Sequence, residues 1–348
     1  MHILVLRFSA MGDVALVLPA VVSLLQQNEE LEITFVSRSF FAPIFEGNNR
    51  LHFVGADVKG KHKGLKGLLR LSSELHKKTK FDAVVDLHGL LRSRIVTGYF
   101  RAKGIQTVTF DKGRSEKKEV LKSRKLRPLL HSTQRYLNAF SKFGLKNELL
   151  NGPYYFPKKV KEAEAVLLSK KLGSDFNLIG IAPFAQHSSK EWPLIKVREL
   201  IAELTQNPKN RVLLFGGGEE EVAKLAEIED ENPRCFSLAG KFPLGVELSV
   251  ICKLNVMVSM DSANMHLATL CGTPVVSIWG PTHHYLGFGP LNNAQNIVEV
   301  PVTELPCRPC SVFGNLKTQA EKDCAKKAMD GISVKMVLAK VLSVLKND

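Results

Sequence analysis

The chain has 348 residues, enough for two domains each with its own core. A hydrophobic share of 45% beside 24% charged residues is ordinary for a soluble globular protein, and no apolar run is long enough to span a bilayer. The net charge of +14 favours anionic partners: nucleic acid, an acidic membrane surface or phosphorylated substrates. Met1–Leu6 lacks the charged-then-apolar layout of a secretory signal, so a cytoplasmic protein is expected. The six cysteines are scattered apart from Cys307 and Cys310, and a disulfide framework is not expected.

In chain order, His2–Leu6 reads as a first strand, followed by the loop Arg7-Phe8-Ser9-Ala10-Met11-Gly12-Asp13. A helix is predicted over 12–27 with a kink at Pro19. By position alone, Asp13 reads as a first-turn carboxylate stabilising the helix dipole; the alternative is a general base at the mouth of a sheet. Glu32–Val36, Leu51–Val54 and Asp82–Asp86 read as further strands with helices between them. Asp86-Leu87-His88-Gly89-Leu90-Leu91-Arg92-Ser93 is another polar loop after a strand, on the same sheet edge as Asp13. His88 and Arg92 either face a substrate there or are merely solvated.

Two basic clusters interrupt the alternation. Lys59–Lys66 carries glycines and reads as a mobile loop, and 112–127 concentrates eight Lys and Arg against two glutamates. Neither interleaves aromatics like a single-strand nucleic-acid platform, and neither matches a nucleic-acid motif. A polyanionic acceptor or a membrane surface fits them better, and a plain solvated face stays open. Asn151–Pro157, with two prolines and a glycine, is the best linker candidate.

A second β/α series follows a helix near 158–172. Asn177–Ala182 is its first strand, and the next loop carries Ser188-Ser189-Lys190, a set suited to a phosphate. Strand Arg211–Phe215 leads to Gly216-Gly217-Gly218-Glu219-Glu220-Glu221, which is neither a dinucleotide fingerprint nor a P-loop. A glutamate there either accepts from ribose hydroxyls or simply opens a helix. Pro243–Lys253 reads as a helix, and Val256–Met260 and Pro274–Trp279 as buried strands. Between these strands Asp261-Ser262 sits at an N-cap, opening a short helix that Gly272 closes. A helix start beyond strand ends offers free N–H groups to an anion, so a phosphorylated ligand is expected here. Asn296–Val300 is a last strand and 333–345 a last helix. Cys307, Cys310 and Cys324 are one thiol short of a full zinc set and read as structural or incidental.

Several of these stretches coincide with one family. Arg7–Asp13 with Leu18-Pro19-Ala20, Asp86–Ser93, Ser188–Pro193, Gly216–Glu220, Asp261–Ala268 and Gly280-Pro281-Thr282 resemble, in order, the motifs of the lipopolysaccharide heptosyltransferases, glycosyltransferase family nine. The resemblance implies an α/β GT-B fold of two Rossmann-like domains with parallel sheets facing a cleft. Their expected limits are 1–155 for the acceptor-binding domain and 156–330 for the nucleotide-sugar domain, with 331–348 a helix returning to the first. It implies inverting, metal-independent transfer of a heptose from ADP-heptose to an inner-core Kdo or heptose, with no cofactor. Asp13 falls on the family's catalytic base, which replaces the position-only reading. Ser188, Ser189, Lys190, Glu220, Asp261, Ser262, Ala263 and His266 fall on the donor site, where His266 either touches the donor or packs behind it. Ser9, His88 and Arg92 fall on the acceptor side. The implied partners are a nucleotide-sugar and an anionic lipopolysaccharide precursor, met peripherally at the inner face of the cytoplasmic membrane, and no nucleic acid. The sequence departs from the family at Ala10-Met11, Ser262-Ala263 and His88, positions near the sugar and acceptor.

Three other readings compete. A transferase on the same fold could use a different nucleotide-sugar. A sugar-nucleotide 2-epimerase would share the nucleotide half and need no acceptor. A basic nucleic-acid-binding protein accounts for the charge but leaves the loops of Lys190, Glu220 and Asp261 without a purpose.

Overall fold

A computed structural model describes residues 1–173 and 175–346. The chain forms two compact units, Met1–Gly113 with Ser132–Phe156, and Arg114–His131 with Pro157–Asp348. Both are α/β units built on a parallel sheet.

In the first unit, β1 (His2–Leu6), β2 (Glu32–Ser37), β3 (Leu51–Gly55), β4 (Ala83–Asp86) and β5 (Gln106–Thr109) pair in the order β3-β2-β1-β4-β5. Every pairing is parallel. Ile3–Leu6 of the central strand are fully buried, as expected for a strand covered on both faces. Leu4, Leu6, Val36 and Val84 share one core with Leu68, Leu71 and Leu75 of the helix Gly64–Lys78 and with Val96 and Phe100 of the helix Leu91–Ala102. The expected helix over 12–27 is interrupted at Leu16, giving Met11–Ala15 and Val17–Gln27. Pro19 lies in the first turn of the second piece, where it has no N–H to offer Ala15, so the break falls upstream of the proline. Lys59–Lys66 is not a free loop. The Asp57 carboxylate accepts from the N–H groups of Gly60 and Lys61, and the His62 ring accepts from the Asp57 N–H.

In the second unit, β6 (Asn177–Ala182), β7 (Asn210–Leu214), β8 (Cys235–Ser237), β9 (Val256–Met260), β10 (Val275–Trp279) and β11 (Ile297–Glu299) pair in the order β11-β10-β9-β6-β7-β8. These pairings are parallel as well. Ile179, Ile181, Val256, Val258, Val276 and Ile278 form its core with Leu200 and Ile201 of the helix Leu194–Thr205. The last helix, Val334–Leu345, was expected to return to the first domain; instead Val337, Val341 and Val344 join this core. Their spacing is that of one apolar helix stripe, and the stripe is buried on the second unit.

Residues 114–131, assigned by the sequence reading to the first domain, also belong to the second unit. Val120 and Leu129 cluster with Leu286, and the Leu129 N–H donates to Tyr285 O at 2.8 Å. Arg124 donates to the carbonyls of Cys307 and Pro309 at 2.9 and 2.7 Å. Lys117 is buried with its ammonium 4.2 Å from the centre of the Phe288 ring. Lys117 therefore acts inside the fold by cation–π contact, and Arg124, though exposed, is tied to carbonyls of the same unit rather than left to solvent alone. A disulfide joins Cys307 to Cys324, against the expectation of none, while Cys310 stays a buried free thiol. Among the described residues, no helix is long and apolar enough to cross a membrane.

Candidate functional site

Each sheet presents its carboxyl edge through loops, and the sequence-predicted site residues other than Glu220 lie there in two groups, one on each unit.

On the first unit, β1 delivers Arg7 into a buried position. Its guanidinium donates to Leu87 O and pairs with the Asp13 carboxylate, 5.8 Å from the Phe110 ring centre and 5.7 Å from that of Tyr136. Asp13, in the short helix Met11–Ala15, keeps 31% of its side chain exposed. A fixed arginine and an accessible carboxylate give an oriented proton acceptor. Asp86, at the end of β4, is fully buried and serves its own loop. It accepts from the N–H groups of His88 and Gly89, each at 2.8 Å, and from Ser93 Oγ at 2.9 Å.

His88 is brought beside Ser9 by a hydrogen bond to the Ser9 backbone, with its ring edge-on to Phe8. Burial, then Arg7 and Lys112, push its pKa down to about 4, so the imidazole is neutral at pH 7. Arg92, in the first turn of the helix Leu91–Ala102, is exposed, and its charge adds to the lowering of the His88 pKa.

On the second unit, Lys190 lies in the one-turn 3-10 helix Ser188–Lys190 and is buried. Its ammonium donates to Asp261 O at 2.5 Å and Asp261 Oδ2 at 3.2 Å. Asp261 Oδ2 also accepts from Thr282 Oγ1 at 2.8 Å. Lys190, Asp261 and Thr282 follow three different strands, β6, β9 and β10, whose ends the parallel sheet sets side by side. Ser262 occupies the N-cap of the helix Ala263–Cys271 but does not cap it; its hydroxyl lies 3.2 Å from Ser259 Oγ instead. The first N–H groups of that helix, from Ala263 on, are thus not met by their own cap residue. Gly272 closes the helix in the left-handed conformation the sequence demanded, at φ 78°.

His266 is buried on this helix, and burial, then His131 and Lys190, push its pKa down to about 3. It is a neutral, packed imidazole. Ser189 Oγ donates to Gly314 O at 2.7 Å, and Gly314, at φ +90°, lies against the aliphatic stem of Lys190. A Cβ on Gly314 would come within 2.8 Å of Lys190 Cγ, so only glycine permits this approach. Ser188, Ser189 and Asn315 line a cavity of about 630 Å³ beside the helix Gln319–Gly331. Glu220 stands outside these contacts: it is exposed and paired with Lys224 at 2.6 Å, while Glu221 accepts from the Gly217 N–H.

Three residues of these groups had no assigned role in the sequence reading. Arg7 and Thr282 stood in motifs without a task, and Arg308, whose contacts reach the Thr282 turn, was hidden between Cys307 and Cys310. A proline and two cysteines beside an arginine mark a built turn but do not say what it holds.

The sequence profile of glycosyltransferase family 9 (heptosyltransferase) matches residues 68–316. The lipopolysaccharide core heptosyltransferase OpsX of Haemophilus influenzae is 25% identical over 340 residues, covering 91% of this chain and 92% of that protein. Lipopolysaccharide heptosyltransferase 1 of Campylobacter coli is 27% identical over 305 residues, covering 82% and 85%. Among solved structures, a glycosyl transferase family 9 protein from Veillonella parvula superposes with a TM-score of 0.77 at 19% identity, covering 100% of this chain and 98% of that one. E. coli ADP-heptose lps heptosyltransferase II gives 0.72 at 19% identity, covering 100% and 99%. The fold is thus shared over the whole chain, and because the profile takes in well over half of the 348 residues, this protein belongs to glycosyltransferase family 9, the heptosyltransferases.

Proposed function

We propose that the protein transfers a heptose, with inversion, from ADP-heptose to a Kdo or heptose of the lipopolysaccharide inner core, without a metal. The observation that carries this reading is the meeting of Lys190, Asp261 and Thr282 beside the uncapped start of the helix Ala263–Cys271. A cation and free N–H groups at one sheet edge can take up the charge of a leaving diphosphate. Ser188, Ser189, Ser262 and Ala263 complete that donor surface, with Glu220 turning from Lys224 to a ribose.

Asp13, oriented by Arg7, takes the proton from the attacking acceptor hydroxyl as its oxygen bonds the anomeric carbon and ADP departs. Ser9 and His88 contact the acceptor sugar, and Arg92 its anionic groups. The exposed Arg114, Lys118, Lys122, Lys125 and Arg127 are left to meet the lipid precursor at the inner membrane face.

The test is calorimetric binding of ADP, UDP and GDP in EDTA, paired with turnover of ADP-heptose and an inner-core acceptor. Lys190→Ala should weaken ADP binding, whereas Asp13→Asn should keep it and cut turnover by about 10²–10⁴. Lys118→Ala with Lys122→Ala should raise acceptor KM and leave donor KM alone. Preference for UDP or GDP, or turnover of the nucleotide-sugar without acceptor, would overturn the reading.

A further inference from the structure

We propose that Arg308 is a positioning residue of the transferase: its buried guanidinium fixes the Trp279–Thr282 turn, so that Thr282 holds Asp261 and Asp261 orients Lys190. The inference rests on the reading that Lys190 and Asp261 hold the donor diphosphate.

The Arg308 side chain has no exposed surface. It donates to the carbonyls of Gly280, Val300, Trp279 and Thr282 and pairs with Glu299 at 2.9 Å. A guanidinium taken fully out of water is tolerable only when its donors are met, and here four carbonyls and a carboxylate converge on it. No apolar side chain could satisfy those carbonyls, and a lysine, with three donors at one point, could not span them. The turn it grips has little freedom otherwise. A Cβ on Gly280 would lie 2.8 Å from Met329, and the N–H groups of Cys310 and Ser311 both donate to Pro281 O. From this turn a single polar side chain, Thr282, reaches back to Asp261 Oδ2 at 2.8 Å, the same oxygen that meets Lys190. The series Glu299, Arg308, Thr282, Asp261, Lys190 is continuous at hydrogen-bond distance, from the end of β11 to the loop after β6.

Glu299 also lies 3.3 Å from His283 and 3.8 Å from His284, a set of ligand types suited to a cation. Arg308 already supplies the positive charge at that carboxylate, which favours the gripping role over a metal.

The experiment uses the full-length protein and compares Thr282→Val, Thr282→Ser and Arg308→Lys with Lys190→Ala. ADP affinity, donor and acceptor KM, kcat and the heat-unfolding midpoint are measured for each. Thr282→Val should weaken ADP binding and raise donor KM about tenfold with acceptor KM unchanged, and Thr282→Ser should restore both. Arg308→Lys should move the same two quantities in the same direction. Adding Thr282→Val to Lys190→Ala should weaken ADP no further, because both act through one contact. If Thr282→Val and Arg308→Lys lower only the unfolding midpoint while Lys190→Ala loses ADP, the positioning role is wrong and the donor reading stands. If Lys190→Ala itself binds ADP as the wild type does, the donor reading fails and takes this inference with it. Should Arg308→Lys fail to fold, the two Thr282 variants decide the matter alone.

Discussion

Glu247, on the helix Leu244–Ile251, has a carboxyl that burial pushes up to about 7 from an ordinary 4.5. The folded state therefore holds this proton more tightly than the unfolded chain does. Its contribution is fully present below pH 4.5 and is lost as pH rises through 7, on the order of 3 kcal/mol in all. Glu247→Gln should remove that fall, melting higher than wild type at pH 8 and no higher at pH 4.5. Equal melting curves at pH 8 would show that the carboxyl is not desolvated in solution. The same contrast between residue and surroundings explains what the sequence could and could not say about the site. Lys190 and Asp261 stood out in the sequence as candidates for meeting an anion because each lies in a loop after a buried strand with hydroxyls nearby. That they touch each other, across 71 positions, was not legible, since strand order decides it. His88 read as facing a substrate or solvated and His266 as touching the donor or packed behind it; burial, which no residue carries in its own letter, is the largest cause that pushes both rings well below the ordinary histidine range.

At the scale of elements, the buried strands were the easiest to find. β1, β6 and β9 are read to the residue because strands covered on both faces are near-continuous apolar runs. The edge strands β5 (QTVT) and β8 (CFS) were missed: they are short, partly polar and lack such runs. The helix Gln319–Gly331 was missed too, although Thr318 and Glu321 form a capping box at its start. That helix carries Cys324, and the bond to Cys307 fastens it to the loop on which Arg308 sits. Closing a separation of 17 residues should stabilise the fold by about 3 kcal/mol. Cys307→Ser with Cys324→Ser should lower the unfolding midpoint by several degrees, and a strong reductant should do the same to the wild type but not to the double variant. An unchanged wild-type midpoint under reductant would mean that the bond contributes nothing to stability.

For the molecule as a whole, two parallel α/β units were legible from alternating patterns, and the passage at Phe156 falls inside the proline-bearing segment marked as a linker. The traffic of 114–131 was not legible, because a run so rich in lysine and arginine hides the apolar Val120 and Leu129 that decide its place. The chain therefore passes from one unit to the other three times, after Gly113, after His131 and after Phe156. A protease cut between Phe156 and Pro157 should then yield two fragments that elute together under native conditions, since 114–131 leaves with the first and packs with the second. Fragment 157–348 made by itself would leave Leu286 and Phe288 without Val120, Leu129 and Lys117, and should elute as aggregates. If it elutes as a monomer with an unchanged melting midpoint, 114–131 is dispensable to that unit. The protein thus behaves less like two beads on a string than like two pieces of cloth sewn with one returning thread: no single snip releases either piece whole.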